Sequence, residues 1–151
     1  MKLMHKLFDT PLEPPVLQRN ADDFAYCHEM AASDHDKPVL MLNMNHYRED
    51  CGYPDRGLYK EYIEGLGPFL DGAGGGKILW RMPVLAQAVG EQKVTEILAC
   101  WYPSHKVFVG LYDAPGAEKN FRLKGLCVDY AVIHRCPGDQ PPFAPLAGSY
   151  P

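Results

Sequence analysis

Between Pro38 and Glu49 the chain reads PVLMLNMNHYRE, and this stretch constrains the fold more than any other. Read as a strand, Val39, Met41 and Asn43 point to one side, and Leu40, Leu42 and Met44 to the other. Neither side is cleanly polar. A strand of that kind is central in its sheet and covered on both faces. Helices of the same chain can supply one cover. A chain of this size does not supply the second, and leaving that face in water would expose an apolar patch larger than monomers usually carry.

The flanking sequence supplies the other elements. Asn20 to Ser33 reads as a helix, with Asn20 placed to cap, Asp22 and Asp23 in the first turn, and Phe24, Cys27, His28 and Ala31 on one face. Cys51 to Gly57 is a loop. Leu58 to Leu70 carries a helical apolar stripe, with Pro68 inside it predicting a kink or a break. Residues 77–89 read as a long second strand, and Pro83 assigns it to an edge. Residues 94–102 form a third strand, Ser104 caps a following helix, a short helix spans about 116–125, and 128–136 is the last strand.

The glycines from Gly72 to Gly76 do not make a nucleotide loop. They follow a helix and precede a strand, the reverse of what a phosphate-binding loop needs. Asp71 also stands where a P-loop needs its first glycine, and Ile78 where it needs Ser or Thr. A helix C-cap and turn accounts for them.

From residue 38 the order is strand, helix, strand, strand, helix, strand, which is the α+β, ferredoxin-like βαββαβ pattern with a four-stranded antiparallel sheet. This reading puts the first and third strands at the centre, side by side and parallel, with the second on an edge. Three regions follow: an extended arm and helix over 1–36, the α+β domain over 37–136, and a proline-rich tail over 137–151.

With 151 residues, 46% apolar and 23% charged, the chain suits one soluble domain. No apolar run is long enough to span a membrane, and the N-terminus lacks the pattern of a secretory signal. The net charge of −4 gives no reason to expect nucleic acid. The nearest basic cluster, Lys119, Arg122 and Lys124, reads as a solvated helix face. Five cysteines, an odd number with no CxxC spacing, read as reduced thiols in a cytoplasmic protein. No metal site and no cofactor are called for.

KPVLMLNMNHYRE, YKEYIEGLGPFLDGAGGGKILW and ILACWYPSHKVFVGLYDAPG resemble segments of domain-of-unknown-function family 1330, over about residues 37–136. The resemblance implies a dimeric α+β barrel, in which two ferredoxin-like sheets pack face to face. It departs at Lys119 to Gly125, KNFRLKG, where members frequently carry a histidine pair and this chain has none.

With the first and third strands parallel, the expected topology gathers Asn45, His46 and Arg48 with Trp101, Tyr130 and His105. His46 is either a general base or a strand-end histidine half in solvent. Asn43 and Asn45 need partners in a covered strand, so they hold a loop or face a cavity. Arg48 clamps a carboxylate or pairs with Glu49 or Asp50. Trp80 and Trp101 belong to the core or line a flat pocket. His46 and His105 lack a third ligand for a metal.

Two functions stay open. One is a homodimer binding a small organic molecule between sheet and helices, with cofactor-free oxygenation or isomerisation by Asn45, His46 and Trp101. Asn43, Arg48, Trp80, His105 and Tyr130 would then contact the ligand. The other is a non-catalytic homodimer that binds a ligand or protein.

Overall fold

A computed structural model describes residues 20–140. The arm read over 1–19 and the tail beyond residue 140 lie outside the described residues.

Helix α1 (Ala21–Ala31) carries Asp22 and Asp23 in its first turn, and Asn20 stands at the N-cap without a side-chain capping bond. Cys27 is its buried residue, and Phe24 packs on Phe108 and Tyr112. His28, expected on the inner face, is exposed. Strand β1 (Val39–Tyr47) leads through a short 3-10 turn (Glu49–Cys51) to helix α2 (Gly57–Gly72). Gly52 allows that turn, because its φ of +90° is left-handed and a Cβ there would strike the Arg56 backbone.

Helix α2 runs through Pro68 without a break. Proline removes one intrahelical hydrogen bond, but Tyr59, Tyr62, Leu66, Phe69 and Leu70 are all buried along the same helix. Their burial outweighs the local preference.

Strand β2 (Lys77–Pro83) is shorter than expected. It stops at Pro83, and Leu85 and Val89 beyond it are more than 90% exposed. Past Pro83 one more backbone bond forms, the Val84 N–H donating to the Thr95 carbonyl at 2.8 Å, and the run then turns out into solvent. Strand β3 (Glu96–Tyr102) follows. Helix α3 (His105–Val109) is capped as expected, the Ser104 hydroxyl accepting from the Val107 N–H at 3.1 Å. A 3-10 turn (Gly110–Asp113), helix α4 (Ala117–Cys127) and strand β4 (Val128–Pro137) complete the described chain.

The four strands form an open sheet in the order β2-β3-β1-β4, with every neighbouring pair antiparallel. This is the ferredoxin-like α+β arrangement, with β2 on the edge as Pro83 requires. The expected parallel pairing of β1 and β3 is wrong. The crossover through α2 makes β1 and β2 parallel, and the β2–β3 hairpin then reverses the chain. Asn45 therefore pairs with Glu96, and Leu40 with Trp101. The end of β1 meets the beginning of β3, not its end.

The two sheet faces differ. Val39, Met41, Asn43, Asn45 and Tyr47 alternate into a buried row under the helices, beside Leu98, Cys100 and Tyr102. On the other face Leu40, Leu42, Met44, Ile97 and Trp101 are only half-buried, and Met82 is 51% exposed.

Candidate functional site

Helix α4 buries one stripe, Ala117, Asn120, Phe121, Lys124 and Cys127, at the helical spacing of three and four. Lys124 is part of that stripe and is only 8% exposed. This corrects the reading of Lys119, Arg122 and Lys124 as one solvated face. Lys119 does reach outward, 3.3 Å from Glu61, and Arg122 is exposed, but Lys124 turns under the sheet. The signal was present in the sequence. Phe121 and Cys127, each three residues from Lys124, place it on the apolar side of the helix.

Lys124 lines a cavity of about 610 Å³ between the sheet and helices α1, α2 and α4. That volume is within the usual range of small-molecule sites. Aromatic and aliphatic side chains dominate its wall, among them Tyr62, Phe69, Phe108 and Phe121. Exposed residues in the lining, Asn20, Asp23, Ile133 and Arg135, mark the side on which it opens.

Lys124, Asn43 and Asn120 line this wall, each at least nine-tenths buried. Lys124 Nζ donates to Asn43 Oδ1 at 3.4 Å, and Asn43 Nδ2 donates in turn to the Met41 carbonyl at 3.0 Å. The carbonyl contact fixes the amide with its oxygen toward the lysine. Among the described residues no carboxylate pairs with Lys124. An ammonium has three donors, so one long bond to a neutral oxygen leaves it poorly compensated. Burial pushes its pKa below the ordinary lysine value. The neighbouring Cys100 thiol supplies no compensating charge at neutral pH, because burial raises its pKa to about 11.

A second buried polar group occupies the other end of β1's helix-side row. The Glu96 carboxylate, 3% exposed, accepts from Tyr47 Oη at 2.7 Å, Tyr59 Oη at 2.8 Å and Arg81 Nη1 at 3.2 Å. Arg81 also donates to Tyr59 Oη at 2.8 Å, and Asn45 Nδ2 to Tyr47 Oη at 3.4 Å. Tyr53 stacks on Tyr47 and meets Tyr59 edge-on. Burial, together with the nearby carboxylate, holds the phenols of Tyr47 and Tyr59 above their ordinary pKa. Asn45 Oδ1 is buried with no partner.

The residues singled out from sequence are divided by this geometry. Asn43 faces the cavity, while Asn45 belongs to the Glu96 network. His46 Nδ1 stands 3.4 Å from Asp129 Oδ2, with Tyr130 paired opposite. Tyr130 belongs to the stretch of β4 bordering the cavity, and its hydroxyl accepts from Gln92 at 3.0 Å. Trp101 lies near the opposite end of the sheet, its indole donating to the Gly138 carbonyl at 2.7 Å. Asn45, His46 and Trp101 are thus not brought together, because β3 runs against β1.

The remaining three also lie outside the cavity. His105, in the first turn of α3, is buried. Its Nδ1 is 3.0 Å from Asp36 Oδ1 and 3.0 Å from the Lys37 carbonyl. The Asp36 carboxylate also receives the N–H groups of His105 and Lys106. Burial acting alone would raise the Asp36 pKa, but these donors hold it below its ordinary value. Arg48 pairs with Asp50 at 3.4 Å in solvent, and Trp80 pairs in register with Ala99. Among the described residues no three His, Cys, Asp or Glu side chains cluster in a metal-binding arrangement.

No family model matches the chain, and no curated protein does. Two crystal structures resemble it. One is RPA0582, a protein of unknown function from Rhodopseudomonas palustris, at a TM-score of 0.64 and 22% identity, over 82% of this chain and 97% of that one. The other is methylated RPA0582, at 0.63 and 22%, over 83% and 96%. At that identity the likeness speaks to the fold. No described helix is long and apolar enough to cross a membrane.

Proposed function

We propose that this protein binds a small, largely apolar organic molecule with one carbonyl or carboxylate group in the cavity beside Lys124. The observation that carries this reading is the buried lysine itself. Among the described residues, an ammonium at the wall of a cavity of about 610 Å³, held by one 3.4 Å contact, lacks the partner that burial demands. An oxygen-bearing ligand supplies that partner, with Asn120 as a further polar contact and the aromatic wall taking the apolar body. The reading does not use Asn45, His46 and Trp101 as a catalytic group.

The same proposal includes assembly as a homodimer through the open sheet face, in keeping with the kinship to family 1330 suggested by residues 37–136. Leu40, Leu42, Met44, Ile97 and Trp101 form a half-exposed apolar face, and a two-fold axis allows it to cover itself.

Two measurements test the proposal. Titration with hexanoate, followed through the side-chain amide resonances of Asn43 and Asn120, is expected to shift both and to raise the melting temperature. Unmoved resonances with hexanoate, hexanal and hexanol alike would refute the binding site. Sedimentation equilibrium is expected to give a dimer that Leu42→Asp converts to a monomer. A folded monomeric wild type at micromolar concentration would refute the assembly.

A further inference from the structure

We propose that Lys124 is a nucleophile that captures an aldehyde or ketone in the cavity as an imine. This deepens the binding reading above and rests on it, since the carbonyl compound must first occupy the same cavity. A buried amine is either charged and in need of partners or neutral. As an ammonium, Lys124 has, among the described residues, one neutral acceptor at 3.4 Å and no carboxylate, which leaves the charge poorly compensated. As a neutral amine it loses that penalty and gains a free electron pair. Desolvation in an apolar wall is one of the recognised ways to make a lysine nucleophilic. The direction of its pKa agrees with this.

The geometry favours the same reaction. Asn43 is pinned by its bond to the Met41 carbonyl, so its oxygen accepts one amine N–H. That contact positions Nζ at the wall of a cavity large enough for the carbonyl compound. Asn120, one helical turn before Lys124, adds a second buried amide to the lining. The nitrogen lone pair forms the C–N bond, the carbonyl π pair moves to oxygen, and a proton passes from nitrogen to that oxygen. The carbinolamine then loses its hydroxyl and the remaining N–H proton as water, leaving the imine. No oxidant or reductant is consumed.

The test uses hexanal with cyanoborohydride at neutral pH, then intact-mass measurement and peptide mapping of the full chain. Lys124 is expected to be alkylated roughly tenfold ahead of the exposed lysines Lys60 and Lys119, as an activated amine should be. Lys124→Arg, whose guanidinium stays protonated, is expected to lose that leading adduct while surface labelling continues. Lys124→Met is a second variant with the same expectation. Labelling of Lys124 no faster than Lys60 would overturn the proposal. If hexanoate and hexanol move the Asn43 and Asn120 resonances but no Lys124 adduct is trapped, the imine proposal fails while the binding reading survives. If none of the three probes moves them, both fall.

Discussion

The two buried polar centres on the helix side of the sheet invite direct comparison. Glu96 and Lys124 are each at least nine-tenths buried, and each touches β1's inner row, one through Tyr47 and the other through Asn43. Glu96 is surrounded by donors: two phenols and a guanidinium converge on its two oxygens. Lys124 has, among the described residues, one neutral acceptor and a cavity beside it. A buried charge with its partners in place belongs to the architecture, because removing any member strands the others. A buried amine with so little compensation is retained at a cost, and under the binding proposal above the open space beside it is what that cost serves. The contrast separates a satisfied network from a candidate site, although both are polar residues in a core.

Glu96→Ala strands Tyr47, Tyr59 and Arg81, and is expected to destabilise the fold by about 3–5 kcal/mol in urea unfolding. Lys124→Met should act with the opposite sign, stabilising the protein by about 1–4 kcal/mol at neutral pH. If both substitutions destabilised equally, the distinction between the two centres would collapse.

The gain from Lys124→Met also depends on pH, and its sign follows from linkage. The lysine's folded pKa is depressed, so between that value and the unfolded value of about 10.4 the unfolded chain binds more protons. Wild-type stability therefore rises with pH across that window, and the advantage of the methionine variant shrinks toward its upper end. Denaturation at several pH values, kept below the Cys100 pKa of about 11, measures the slope.

Smaller changes sharpen the picture. Tyr59→Phe removes one hydrogen bond to the carboxylate and should cost about 1.5–3 kcal/mol. Ser104→Ala lies outside both centres and removes the cap of α3, for about 1 kcal/mol. A thermal scan of both variants is expected to rank them in that order.

Much of the architecture was legible in the residues. The doubly apolar β1, the edge position of Pro83, the Ser104 cap and the alternation of elements all act locally, through side-chain period and backbone donors. Legibility failed where a local rule met a distant one. Pro68 stayed inside a helix because packing outweighed its lost hydrogen bond. The apolar run after Pro83 reads as strand, but beyond the Val84–Thr95 bond its Leu85 and Val89 face solvent. Lys124 was grouped with Lys119 and Arg122 by charge, although its spacing from Phe121 and Cys127 placed it on the other side of the helix.

Which segments are strands and helices, and which of their sides are apolar, is written locally along the chain, because those properties repeat with the backbone's own periods of 2 and 3.6. Which polar residues meet emerges only in the folded molecule. Strand direction set that outcome. With β3 antiparallel to β1, Asn45 faces Glu96 and not Trp101, and Asn43 is left to meet Lys124 from a helix 81 residues away. Partnership between distant residues depends on register and crossover, and no local pattern carries that information.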